Sequence, residues 1–254
     1  MAAGISVVQS GAITSVILNS SDKLNAMSRS MWRELKVAFE AIQGYPSVRC
    51  VLVRGAGSHF CAGGDIAEYP GFRFDEAELR RFHEEEVWGA LSAMLECDVP
   101  VIAQIQGVCM GAGVEIASAC DLRLAAESAK FGAPIARLGF PMAQREAALV
   151  AGAVGDMTAR AMLLAAEVFG ASHMAAQGFL TQVLAEAELD AACQALAKRV
   201  SGLAPQAARL NKQTLRALKL GGAIENPYAY AASAEHREGI AAFIAKRKPH
   251  FQNL

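Results

Sequence analysis

Short β-branched runs alternate along this chain with longer stretches of helical period. Residues 5–9 and 13–18 have the composition of strands, and Ser10-Gly11 between them has that of a turn. Over residues 31–42, Trp32, Leu35, Phe39 and Ile42 recur at three- and four-residue spacing, which predicts an amphipathic helix with Ser28 as its N-cap. Cys50-Val51-Leu52-Val53 is continuously apolar, as a strand covered on both faces would be, and it stops at Gly55-Ala56-Gly57. Val101-Ile102-Ala103 opens a second such run, broken by Gly107, Gly111 and Gly113, and Asp121-Leu122-Arg123-Leu124-Ala125 supplies a third. Strand, loop and helix in alternation predict an α/β fold with parallel strands. From about Met157 onward the pattern is nearly all helical. A boundary near residue 197 divides the chain into a core, 1–196, and a helical region, 197–254. The end of that region, residues 235–247, carries Ile240, Phe243 and Ile244 on one side.

Composition narrows the classes. The chain has 254 residues, 24 basic against 25 acidic, and 53% hydrophobic residues. That is enough apolar material for one large core, and far too much for a disordered chain. Near-neutral charge gives no general attraction to nucleic acid or anionic lipid. No apolar run reaches the roughly 18 residues needed to span a bilayer. The nearest, residues 100–113, is interrupted by Gln104 and Gln106. No basic residue precedes Lys23, so no secretory signal is expected. The six cysteines, Cys50, Cys61, Cys97, Cys109, Cys120 and Cys193, include no C-x-x-C pair and sit mostly in apolar runs. They predict reduced, buried thiols in a cytoplasmic protein, with no metal site.

Candidate chemistry lies in two glycine-rich segments that follow apolar strands, residues 55–66 and 107–115. Glycine there permits tight turns and close backbone approach to a ligand. The second segment leads into a helix predicted over residues 112–119. The first N–H groups of a helix lack internal partners and suit a developing oxyanion. Glu115, three residues after Ala112, emerges on the same helical face. A carboxylate beside backbone donors is what proton transfer next to an activated carbonyl requires. Tight packing of a small-residue helix on the sheet would account for the same glycines. A dinucleotide fingerprint would need glycine where Ile116 stands, and there is no phosphate loop, nucleophile elbow or zinc-ligand spacing.

Four motifs in order resemble the crotonase (enoyl-CoA hydratase/isomerase) superfamily. They are Lys23-Leu24-Asn25-Ala26-Met27, Phe60-Cys61-Ala62-Gly63-Gly64-Asp65-Ile66, the stretch from Pro100-Val101-Ile102-Ala103 to Asp121-Leu122-Arg123, and Glu238-Gly239-Ile240-Ala241-Ala242-Phe243 through Lys246-Arg247. The resemblance implies a spiral β/β/α core with a C-terminal helical trimerisation region. It further implies a homotrimer or dimer of trimers acting on acyl-CoA thioesters, coenzyme A being part of the substrate and no other cofactor being needed. It places oxyanion donors at Gly64 and Ala112, where the family commonly has glycine at the second position, and proton transfer at Glu115. Lys23, Leu24, Ala26, Ala62, Ile66 and Gly111 would line the substrate path, with Asp65 ordering its turn. Phe243 and Lys246 would hold the adenine end of coenzyme A from a neighbouring subunit, although Lys246, Arg247 and Lys248 also read as a solvated basic helix end.

One position departs from the pattern. Hydratases of the family carry a second glutamate where Phe131-Gly132-Ala133-Pro134-Ile135 puts Ile135, and the isomerases usually keep their acid there. The resemblance implies an enzyme of the enoyl-CoA hydratase or isomerase type, and Ile135 leaves its exact reaction open. Decarboxylation or thioester hydrolysis on the same scaffold, and a silent acyl-CoA-binding paralogue, stay open. His83 with Glu84, Glu85 and Glu86 reads as a solvated helix face. Glu68 and Tyr69 are undecided between structure and site. His59, His173, His236 and His250 read as surface or capping residues.

Overall fold

The computed structural model describes residues 3–219 and 221–251. Strands β1 (Gly4–Ser10) and β2 (Ile13–Asn19) form the expected antiparallel hairpin, turning at Gly11, whose φ of +59° favours a residue without Cβ. Helix α1 (Arg29–Gln43) starts where predicted, with Ser28 Oγ accepting from the Met31 N–H at 3.2 Å. Its apolar stripe of Trp32, Leu35, Phe39 and Ile42 is wholly buried. At about 1.5–3 kcal/mol per large side chain, that stripe rather than helix propensity holds α1 in place.

Strand β3 (Cys50–Gly55) pairs parallel with β2. A helical segment follows as α2 (Glu76–Arg81), a π-helical turn over Phe82–Val87, and α3 (Trp88–Glu96). Then come β4 (Val101–Ile105), β5 (Val108–Met110), α4 (Ala112–Ala119), β6 (Leu122–Ala126) and β7 (Lys130–Gly132). The remainder comprises α5 (Gln144–Val154), α6 (Asp156–Leu164), β8 (Val168–Gly170), α7 (Ala171–Ala176), β9 (Gln182–Leu184), α8 (Glu186–Ser201), α9 (Pro205–Lys219) and α10 (Ala234–Ile244).

A six-stranded sheet runs β1-β2-β3-β4-β6-β9, parallel from β2 onward, and a second sheet runs β5-β7-β8. With the helices packed on them, these sheets form the β/β/α architecture expected. The near-continuous apolar character of β3 is explained by burial on both faces. Val51 and Val53 enter the main core, whereas Cys50 and Leu52 meet Leu189, Cys193 and Leu196 of α8. Residue 197, at the division drawn from sequence, lies inside α8. All six cysteines are free and buried.

The nearly all-helical reading after Met157 is corrected by β8 and β9. Each spans three residues, too few for a strand period to register, and β9 gains its place by pairing with β6 at the sheet edge. Helix α9 is fastened by charge more than by burial. Lys212 meets Asp121 at 2.7 Å and Arg216 meets Asp98 at 2.9 Å, while Leu215 and Leu218 stay exposed.

Candidate active site

Both glycine-rich segments are held by their neighbours rather than by their own secondary structure. Asn25, fully buried, accepts from the Ser20 N–H at 3.0 Å and donates to the carbonyls of Ala56 and His59, each at 2.8 Å. A Met27–Gly64 bridge and a Cys61–Cys109 bridge then fasten the first segment on two sides. Met27 N–H donates to Gly63, Asp65 N–H to Met27 and Met110 N–H to Cys61, all at 2.8 Å. Asp65 orders the next turn, accepting from the Ala67 N–H at 3.2 Å and pairing with Lys23 at 2.6 Å.

The second segment depends on two glycines. Gly111, before α4, has φ +46° and ψ −110°, a conformation that L side chains rarely adopt. A Cβ on Gly113 would lie 2.6 Å from the Cys61 carbonyl oxygen, so its hydrogen lets α4 rest directly on the first segment. Ala112 is not among the residues with positive φ, and its methyl fits without strain.

Neither the Gly64 N–H nor the Ala112 N–H has an acceptor among the described residues, and both residues line one cavity of about 320 Å³. Ala62, Ile66, Gly111, Glu115 and Ile135 line it as well. Lys23 stands beside it through its ion pair with Asp65. Leu24 and Ala26 lie in the adjoining turn, where the Ala62 N–H donates to the Leu24 carbonyl at 3.0 Å. Phe243, 85% exposed, and Lys246 lie at the end of α10, outside the cavity lining.

The Glu115 carboxyl is pushed up to about 8, chiefly by burial, with the charge of Glu146 adding to the rise and Arg73 opposing it. Burial thus favours its protonated form, in the cavity that the two backbone donors line. Ile135 opens a 3₁₀ turn over Ile135–Leu138 and brings no carboxylate to the wall.

The reading of residues 83–86 as a solvated face is corrected. His83 lines the cavity, and its Nδ1 meets Glu146 Oε1 at 3.1 Å. Glu86 is buried under a two-toothed pair with Arg29, at 2.6 and 2.8 Å. Only Glu84 and Glu85 face outward. The π-helical turn is the cause. An i to i+5 repeat rotates side chains off the α-helical faces that a sequence pattern assumes. Phe82 and Val87, five residues apart and both buried, are the one trace of it in the sequence.

Glu68 and Tyr69 separate. Glu68 is exposed and accepts from the Arg29 N–H at 2.8 Å, capping α1. Tyr69 lines the cavity, its hydroxyl set against the Cα of Gly64. Sequence reasoning missed Arg73. Its guanidinium is held 3.8 Å from the centre of the Phe140 ring and 4.5 Å from that of Tyr69, on the same cavity wall. The remaining histidines are structural. The His59 ring accepts from the Val108 N–H at 3.2 Å, His173 stacks on Phe169, the His236 ring meets the Ala231 carbonyl, and His250 donates its N–H to Glu238. Among the described residues no helix is long and apolar enough to cross a membrane, and no cluster of His, Cys, Asp and Glu could hold a metal ion.

Known proteins share this fold. A crystal structure of an enoyl-CoA hydratase/carnithine racemase from Magnetospirillum magneticum superposes with a TM-score of 0.95 at 36% identity, covering 100% of this chain and 97% of that one. A probable enoyl-CoA hydratase of Mycobacterium bovis is 29% identical over 243 residues, 93% of each protein. The peroxisomal Delta(3,5)-Delta(2,4)-dienoyl-CoA isomerase of Arabidopsis thaliana is 28% identical over 258 residues, 94% of this chain and 92% of that protein. The model of the enoyl-CoA hydratase/isomerase family matches residues 9–253, so a chain whose two backbone loops and helix-borne glutamate enclose one cavity belongs to the enoyl-CoA hydratase/isomerase family, within the crotonase superfamily.

Proposed function

We propose that this chain is an acyl-CoA thioester enzyme of the hydratase or isomerase type, stabilising a thioester enolate in a backbone oxyanion hole. The observation that carries the reading is the pair of unpartnered N–H groups, Gly64 and Ala112, in one cavity with the buried Glu115 carboxyl. The thioester oxygen accepts from both donors, which strengthen as negative charge develops on it. Glu115 then moves a proton at Cα. Neither of these two roles calls on a metal or redox cofactor. The coenzyme A moiety would run past Lys23, Leu24, Ala26 and Asp65. Exposed Ile240, Phe243 and Ile244 on α10, with Leu215 and Leu218 on α9, suit burial in a homotrimer or dimer of trimers. The test is turnover against a panel of acyl-CoAs alongside a thermal-shift titration. Binding of crotonyl-CoA with hydration or isomerisation supports the reading. Binding without turnover of any acyl-CoA would identify a silent binder instead.

A second reading, decarboxylation, is favoured by Arg73. Its charge lines the cavity with aromatic rings about it and no salt bridge to a carboxylate among the described residues, so a carboxylate on the acyl group would find a partner there. Faster turnover of a malonyl-type thioester than of crotonyl-CoA, lost in Arg73→Met, would select this reading.

A further inference from the structure

Glu146 is a buried carboxylate with no part in the chemistry described so far. It is 2% exposed, and among the described residues no lysine or arginine pairs with it. Its place in the first turn of α5 suits a negative charge, but such acids ordinarily act from the surface, and a buried one needs a partner. Its partner is His83, sixty-three residues away in sequence, held at 3.1 Å. Neighbouring charges do not compete for it, because Arg145 pairs instead with Glu84 at 3.1 Å.

His83 is itself part of the lining of the cavity that Glu115 also lines. The π-helical turn over Phe82–Val87 carries it there, and such turns recur at functional sites. Its bond to Glu146 engages Nδ1 and fixes the ring, leaving Nε2 without a hydrogen-bond partner among the described residues. We propose that His83, oriented by Glu146, is the second proton-transfer group of this site, serving the water that adds at Cβ while Glu115 serves Cα. The proposal rests on the acyl-CoA reading above and fills the place left by Ile135.

The step balances. The water oxygen bonds to Cβ and its proton passes to His83 Nε2. The Cα–Cβ π pair moves toward the thioester held by Gly64 and Ala112, and Cα takes the proton of Glu115. Hydrogen and hydroxyl are added, and the proton on His83 returns to Glu115 through solvent. Two carboxylates near one another thus take different parts. The charge on Glu146 helps to keep the proton on Glu115. Arg73, Arg137 and Tyr69 are the other titratable groups lining this space.

The experiment follows two rates in the full-length protein, crotonyl-CoA hydration and exchange of the α-proton of butyryl-CoA in D₂O. Glu115→Gln should lose both. His83→Ala and His83→Gln should lose hydration by roughly 10²–10⁴-fold while exchange and acyl-CoA binding persist, and added imidazole should partly restore His83→Ala. Glu146→Gln, a change to the positioning residue, should slow hydration and shift the alkaline limb of its pH profile downward, because the repulsion on Glu115 is lifted. Hydration by both His83 variants within twofold of wild type overturns the proposal, as does a wild type that exchanges the α-proton without hydrating. A wild type that does neither overturns the hydratase or isomerase reading and the proposal with it.

Discussion

The two walls of the cavity are built by opposite means. One, from Gly64 and Gly111 to Glu115, presents backbone N–H groups and is fixed by two β-bridges and a glycine contact. The other, from Phe82 to Val87 with Tyr69 and Arg73, presents side chains and is fixed by a π-helical turn, aromatic contacts and the His83–Glu146 hydrogen bond. Backbone chemistry leaves its mark on the sequence because only glycine satisfies the geometry. Side-chain chemistry on an irregular turn leaves almost none.

The comparison breaks most visibly at Glu115. Glu115→Gln should cut turnover by roughly 10²–10⁴-fold with acyl-CoA affinity nearly unchanged, measured by initial rates and a thermal-shift titration. The same variant should be more stable than wild type at alkaline pH. The carboxyl rises from 4.5 to about 8, so the folded protein holds a proton that the unfolded chain has lost. Stability therefore falls as pH rises from about 4.5 to 8, and the cost is complete above that. It amounts to a few kcal/mol, on the order of 1.4 per pH unit. The Tm of Glu115→Gln should exceed that of wild type near pH 9, and the gap should close near pH 4. A pH-independent gap would mean that Glu115 ionises freely.

Gly113→Ala tests the backbone wall. The added methyl would sit 2.6 Å from the Cys61 carbonyl, which two bridges prevent from moving. A loss of about 1–3 kcal/mol is expected, with hydration falling further than stability because the Ala112 N–H shifts with α4. Elsewhere in the lining, Ile135→Glu should cost about 1–3 kcal/mol by placing a carboxyl in a mostly apolar cavity. Faster crotonyl-CoA hydration by this variant would show that a carboxylate at 135 can add to the His83 pair.

How much was legible follows the same division. The hairpin, α1 with its Ser28 cap, β3 and the span of α4 could be read because each is long or carries a strict apolar period. Ala112 and Glu115 can be set on one face because glycines and a helix start mark them, whereas Gly64 comes from the resemblance of its motif to the family's. Strands β8 and β9 could not be read, since three residues hold no period. His83 was hidden by three following glutamates that look like solvent-facing charge, of which Glu86 is buried against Arg29. Arg73 was hidden because nothing in a lone arginine announces the two rings, sixty-seven positions apart in the case of Phe140, that hold it.

The smallest expected effect separates the two carboxylates nearest in appearance. Glu68 and Glu115 both follow a glycine-rich segment, and both are candidates for the acid from sequence alone. Glu68, however, is exposed, and its Oε2 accepts from the Arg29 N–H at 2.8 Å, at the start of α1. There the helix dipole and an otherwise unpaired donor favour a negative charge. Glu68→Gln keeps an acceptor oxygen and loses only the charge, so about 0.3–1 kcal/mol of stability is expected to go, diminishing in high salt. Because α1 is anchored mainly by its buried stripe, the cavity should not move, and turnover should stay within twofold of wild type. A Glu68→Gln variant as inactive as Glu115→Gln would transfer the proton chemistry to the surface side of the loop and undo the contrast between the two walls.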